Sequence, residues 1–557
     1  MKLTRRLCLY ETTIPVLNNI FCDMIERTLY NGNIVTLHDP IPRAQAVAIQ
    51  HGRVVAVGSN DDIEALAGAR ARRENLGGRT VIPGLTDAHL HWRWTARALS
   101  EVDVYELPEK RLAVERVAER ARQSKPGEWL IGHGWTQDFW PDKRFPTAAD
   151  LDLVTPDNPV YLRAKSGHAI WVNSTSLRIA GIDRHTPDPA GGRIGRDTDG
   201  HPTGVLYETA IDLVSKHLPG TDTELTVTQM KKAQQRALAA GLTGFHDFDG
   251  PDCLRALQVL RERGELAMRV LKNVNDPHIE HMYEAGLRTG FGDDWIRLGG
   301  LKIFADGALG TRTALMVEPY ENEPDNYGIS VMDKEAIYAL VSKGSAAGWS
   351  ATIHAIGDRA VHDVLDVYEA VRAEEAQRGE ARRRRRHRIE HVQIIHPDDV
   401  HRLAELDIIA SMQPNHAMSD YEMADAYWGA RSHLAYNPRV QLDQGVVVAF
   451  GSDSPIDPFA PLPNIYAAVT RRRHNGAPGP EGWYPQNRVS VMEALHGFTT
   501  GPAYAAGMED RLGQIAPGFL ADLVVLDRDI TQVPPEDILE TNITGTMVAG
   551  QWRYGGV

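Results

Sequence analysis

The chain has 557 residues, 42% of them hydrophobic and 24% charged, near the averages for packed soluble proteins, which excludes disorder, a collagen-like repeat and a coiled coil as overall descriptions. Lys+Arg 60 against Asp+Glu 74 leaves a formal net charge of −14, so the footprint of a general nucleic-acid binder is missing. Three cysteines, Cys8, Cys22 and Cys253, with no C-x-x-C spacing, supply neither a disulfide framework nor a thiolate zinc site.

Residues 1–22 mix basic and apolar side chains, but Glu11 and Asn18 interrupt the apolar run and no small-residue cleavage site follows, so the segment reads as an N-terminal tail. No run reaches the roughly 18 apolar residues of a membrane helix. A soluble cytoplasmic protein with no membrane partner is expected. From Met24 to Thr80, LYNGNIVTL and AQAVAIQHGRVVAVG alternate as short strands, with hairpin signals at Asn31-Gly32 and His51-Gly52. The chain end, ADLVVLDRD and TGTMVAGQWRYGGV, has the same style. Residues 23–80 and 505–557 are therefore expected to build one small β-sandwich from both ends of the chain.

In the middle, residues 81–504, short apolar runs alternate with helical patterns, the signature of βα units around a parallel sheet. Eight strands are predicted: 81–91 (VIPGLTDAHLH), 242–248 (LTGFHDF), 268–274 (MRVLKNV), 296–307 (IRLGGLKIFADG), 349–358 (WSATIHAIGD), 387–395 (HRIEHVQII), 407–416 (DIIASMQPNH) and 446–455 (VVVAFGSDSP). Eight imply a (β/α)8 barrel of the TIM type. Its length approaches the roughly 250 residues typical of that fold only if 93–225 is an insertion after the first strand. In that insertion GGRIGRDTDGHPTG lacks the strand-turn-helix setting of a phosphate loop, and a turn-rich lid is expected. The tract RRRRRHR, 382–388, follows a charged helical stretch and reads as a solvated helix end rather than a binding tract.

The chemistry gathers at strand ends. His89 and His91, two apart on the first strand, project to one side, at the end of the barrel where active sites form. His354, His391 and Asp453 end the fifth, sixth and eighth strands at the same face. Four histidines and a carboxylate suit Zn²⁺, or Fe, Mn or Ni with less discrimination. Lys302 on the fourth strand either points outward into water or enters the barrel mouth, where an ammonium beside metal is costly and a CO2-derived carbamate would supply two oxygens to one or two ions.

The set PGLTDAHLH, GGLKIFADGALGTRTA, ATIHAIGDRAV, RIEHVQII, ASMQPNHA and AFGSDSP resembles the amidohydrolase superfamily, in its family-3 branch of YtcJ-like proteins and N-substituted formamide deformylases. The resemblance runs from about residue 25 to LGQIAPGFLADLVVLDRD. It implies that His89, His91 and Asp453 hold the more buried ion, His354 and His391 the second, and that carboxylated Lys302 bridges them. It implies a metal-dependent hydrolase of the C–N amide bond of a small N-substituted amide or formamide, with Asp453 as ligand and general acid/base. Thr136-Gln137 depart from the acidic residue that similar proteins often carry after the Trp of GHGW.

Glu390, Asp87 and Asp358 are the nearby carboxylates that could orient the histidines. His168, Trp171, Trp135 and Trp140 in the insertion, Arg312 after the fourth strand, and Gln413 and His416 after the seventh are candidate substrate contacts, although each single Trp is more often a packing residue than a substrate contact. His246 is either a polar wall or a structural histidine. Deaminase, cyclic-amide hydrolase or decarboxylase chemistry on the same centre is the alternative, and a non-catalytic scaffold is the alternative of another class. The expected partner is a small-molecule amide, and a homodimer is the expected assembly.

Overall fold

The computed structural model describes residues 25–105, 107–220 and 222–557; the expected tail at 1–22 lies outside the described residues. Two compact units emerge. One comprises residues 25–83, Gln514–Asp529 and Asn542–Val557, the other Gly84–Gly513 and Ile530–Thr541. Among the described residues no helix is long and apolar enough to cross a membrane.

The first unit is a sandwich. A four-stranded sheet orders Arg53–Gly58, Ala46–Gln50, Arg27–Tyr30 and Arg72–Asn75, and a six-stranded sheet joins Thr80–Pro83 to Leu523–Leu526 and Ile543–Val548. Leu29, Val47 and Ile49 of one sheet pack with Ile34, Val81, Leu523 and Met547 of the other, the alternation of a sheet with one buried face. His51-Gly52 turns a true hairpin, with both residues left-handed (φ 47° and 72°) between the paired Gln50 and Arg53. Asn31-Gly32 does not. Leu29 pairs with Val47 while Ile34 pairs with Val81, so the step carries the chain from one sheet to the other, with Asn31 but not Gly32 left-handed.

The second unit holds eight parallel strands: β1 (Leu85–Leu90), β2 (Leu242–Asp247), β3 (Arg269–Asn275), β4 (Ile296–Phe304), β5 (Ala351–Ala355), β6 (Arg388–His391), β7 (Ile409–Met412) and β8 (Val448–Phe450), paired in chain order. The bridge from Leu90 to Ser454 brings the last strand back to the first, giving a TIM-type barrel. The run 81–91 is two strands, because the chain passes between units at Pro83-Gly84. No Cβ fits at Gly84, where it would stand 2.3 Å from Thr243 Oγ1.

The insertion is built on a sheet rather than on turns. It is a mixed six-stranded sheet containing Leu130–Trp135, Val160–Ala164, Ala169–Val172, Gly192–Arg196 and Pro202–Glu208. Leu162 and Trp171 face one apolar cluster, Tyr161 and Ile170 another. With both faces buried, the strands show no polar alternation, which is why their pattern does not read as sheet.

The arginine tract is half buried. Arg382–Arg384 form an exposed turn, but Arg388 is 1% exposed and lies in the barrel interior. Its guanidinium donates to Ala88 O (2.6 Å), Ser411 Oγ (2.7 Å) and Glu390 Oε2 (2.8 Å), and Nη1 reaches His246 Nδ1 at 3.0 Å. That places His246 as a structural partner. Arg388 thus ties β1, β2, β6 and β7 through one buried, fully paired cation. Arg388→Met is expected to cost about 3–5 kcal/mol by leaving Glu390 buried without its partner, whereas Arg383→Ala on the exposed turn is expected to stay within about 0.5 kcal/mol. Urea unfolding of the two variants checks this.

Candidate metal centre

Barrel closure sets the site. The Asp453 amide donates to His89 O at 2.7 Å and the His91 amide to Ser454 O at 2.9 Å, so the residues after β8 run beside the end of β1. His89 Nε2 and His91 Nε2 each lie 3.4 Å from Asp453 Oδ1. His391 joins them, with its ring 4.9 Å from that of His89, and His354 stands 4.6 Å from His391. His89, His391 and Asp453 each offer a ligand atom within 4.8 Å of the others. Both His391 (φ 80°) and Asp453 (φ 58°) hold left-handed backbone, a strain that persists where surrounding structure over-determines it.

Each imidazole is anchored through one nitrogen and presents the other. His89 Nδ1 is 2.6 Å from Glu390 Oε2, His91 Nδ1 3.2 Å from Asp249 Oδ1, and His391 Nδ1 2.9 Å from Gln413 Oε1. His354 is anchored through Nε2, 3.0 Å from Gly307 O, which leaves Nδ1. Such anchors fix tautomer and ring orientation. Burial drives the His89 imidazolium down to about 4, whereas Asp249 and Asp453 outweigh burial at His91 and raise it to about 10. Burial opposes ionisation of Glu390 and Asp453, but Arg388 and His89 on the first and His89 and His91 on the second outweigh it and hold both carboxyls well below their ordinary values.

Lys302 turns inward. It is 1% exposed, its Nζ has no hydrogen-bond partner, and it stands 4.9 Å over the Phe248 ring and 4.4 Å over the Phe304 ring. Burial pushes its ammonium down to about 8, against the pull of Glu390 and Asp453. Asp453 Oδ1 is likewise buried without a hydrogen-bond partner. Two orphaned buried polar groups beside four imidazoles are costly in the protein alone and fit a divalent cation of the Zn²⁺ class.

A cavity of about 290 Å³ opens over these groups. Its walls include Trp135, Phe145, His168 and Tyr207 from the insertion and Thr311 and Met423 from barrel loops. His168 Nδ1 is held 2.9 Å from Glu208 Oε2. Trp135 contributes an edge while donating Nε1–H to Leu162 O at 2.9 Å. Three candidate substrate contacts do other things. Trp171 donates to Thr147 O at 2.8 Å inside the insertion core, Arg312 pairs with Glu323 over the Tyr427 ring, and Gln413 orients His391. Trp140 packs on Trp135 and Trp171. After Thr136-Gln137 it is Asp138 that brings an acid to the cavity wall. Of the proposed orienting carboxylates, Glu390 serves His89, Asp87 accepts the His89 and Ser452 amides, and Asp358 accepts the Val317 amide away from the histidines. Asp249 was missing from that set, although it lies two residues past β2 in HDFDG, where a polar residue after an apolar run is the available signal.

The amidohydrolase family model matches residues 73–554. YtcJ of Bacillus subtilis (strain 168), whose name places it among amidohydrolases, is 32% identical over 94% of this chain and 98% of its own. An N-substituted formamide deformylase of Arthrobacter pascens is 30% identical over 95% and 98%. The crystal structure of an uncharacterized metal-dependent hydrolase from Pyrococcus furiosus superposes with a TM-score of 0.72 at 30% identity, covering 91% of this chain and 100% of that one.

The Lys302 ammonium penalises the metal-free fold fully below pH about 8, and the penalty fades as pH rises toward the ordinary 10.5. Lys302→Met is therefore expected to stabilise metal-free protein by on the order of 3 kcal/mol at neutral pH, with the gain shrinking above pH 8. Urea unfolding across pH reads this, and an unchanged midpoint at pH 7 would contradict it.

Proposed function

The chain belongs to the amidohydrolase family, and from that premise we propose that it cleaves the C–N amide bond of a small N-substituted amide or formamide. The observation that carries the reading is Asp453 Oδ1, an unpartnered carboxylate oxygen 3.4 Å from both His89 Nε2 and His91 Nε2 at the cavity floor. His89, His91, His354, His391 and Asp453 would hold the metal, with Zn²⁺ the favoured ion for these donors. Bound there, a divalent cation lowers the pKa of water toward about 7 and polarises a carbonyl.

The chain's own groups supply the rest. Asp453, held ionised by its histidines, accepts a proton from the attacking water and delivers it to the departing nitrogen. The neutral amine of Lys302, made accessible by burial, forms an N–C bond with CO2 and releases one proton. This would replace a buried amine without a hydrogen-bond partner by an anionic group. Trp135, Phe145, Tyr207 and Met423 form an apolar wall for the nitrogen substituent, and the cavity size suits a small ligand.

Treatment with a strong chelator is expected to abolish turnover and Zn²⁺ or Mn²⁺ to restore it; full activity in metal-free protein would sink the reading. Across a panel of formamides, acyl amides and cyclic amides, the expected products are formate or another carboxylate with one equivalent of amine. Ammonia released without a new carboxylate, or CO2 with the decarboxylated remainder, would point instead to deamination or decarboxylation. Asp453→Asn is expected to lower kcat by about 10²–10⁴, followed in protein whose metal content has been measured.

A further inference from the structure

His416 stands on the helix Pro414–Trp428 that follows β7, buried, with its ring stacked 6.1 Å from that of His391 at 17°. Its Nδ1 is 3.3 Å from Gln393 Nε2. An amide nitrogen only donates, so Nδ1 accepts, and the neutral ring carries its proton on Nε2. The Gln393 amide is held in this orientation by Tyr436, whose hydroxyl donates to Gln393 Oε1 at 3.0 Å. Tyr436 Oη is also 2.9 Å from Asp420 Oδ2. Burial raises the Asp420 carboxyl. Gln393 thus donates to His416 Nδ1 while its own Oε1 is met by the Tyr436 hydroxyl.

This leaves an N–H with nowhere to go. His416 Nε2 is buried, has no hydrogen-bond partner and belongs to a ring that lines the cavity. The nearest carboxylate oxygens, Asp457 Oδ2 at 3.7 Å and Asp453 Oδ2 at 3.9 Å, are beyond hydrogen-bond reach. A buried donor left unmade is costly, and one set in advance beside the reacting centre stabilises charge that develops there. We infer that His416 donates its Nε2–H to the oxygen of the scissile amide. This role rests on the proposed amide hydrolysis.

The test uses full-length metal-loaded protein and the variants His416→Phe and His416→Gln. For any amide that the wild type hydrolyses, His416→Phe is expected to lower kcat by about 10²–10³ with metal content and KM little changed, and His416→Gln to recover part of the loss. Nitrogen-15 NMR of histidine-labelled protein, with His416 assigned by its disappearance in His416→Phe, is expected to show a protonated Nε2 and a bare Nδ1. The Nε2 proton should shift on saturation with formate as the probe. A protonated Nδ1, an Nε2–H indifferent to formate, or His416→Phe activity within twofold of wild type overturns the assignment. A wild type that hydrolyses no amide sinks the reaction itself, whereas an active wild type matched by His416→Phe sinks only the role of His416.

Discussion

The centre exists because a sheet closes. Asp453 and His89 are neighbours only where the residues after β8 lie along the end of β1, and that seam is pinned by one carboxylate. Asp87 accepts the His89 amide at 3.0 Å, the Ser452 amide at 3.0 Å and the Ser452 hydroxyl at 2.6 Å. The approach is so close that a Cβ on Gly451 would sit 2.4 Å from the His89 nitrogen. Closure thus sets the Asp453 carboxylate against the first pair of histidines. The polar atoms of the seam are satisfied within the protein, and the unsatisfied ones lie at its mouth.

The division between paired and unpaired polar groups separates scaffold from site. Arg388 and Glu390 are as buried as Lys302, yet their own polar atoms have partners, so they join strands and steady His89. Lys302 and Asp453 carry the opposite bargain: buried, charged and incompletely partnered. A fold selected for stability alone would place an apolar side chain at Lys302. The left-handed backbone at His391 and Asp453 is a cost of the same kind, located at the same few residues.

The parts legible in the sequence share one property: each is a polar residue ending an apolar run. His89, His354, His391 and Asp453 announce themselves in that way, and the eight runs that precede them are local enough to be read. What could not be read depends on partners far along the chain. Asp249 meets His91 only across β1 and β2, and Gln413 meets His391 only across β6 and β7. Arg388 belongs to a tract whose composition says solvent while its register on β6 says interior. The insertion sheet buries both faces, so the alternation that reveals a strand is absent. Asn31-Gly32 has the residues of a hairpin, and only the pairing of Leu29 and Ile34 with different strands shows that it changes sheets.

The cavity has two kinds of wall, and they answer to different constraints. Its floor is made of strand ends whose positions follow from closing eight parallel strands, so a change there alters ligation and chemistry together. Its upper wall comes from the insertion, a sheet with its own core, which supplies Trp135 and Tyr207. His168 bridges the two regimes. It is anchored by Glu208, itself held at φ 50°, where the insertion meets the cavity. Binding selectivity can therefore drift in the insertion while catalysis stays fixed in the barrel, which is the physical reason that a ligand set read from strand ends defines a reaction class far more sharply than it defines a substrate.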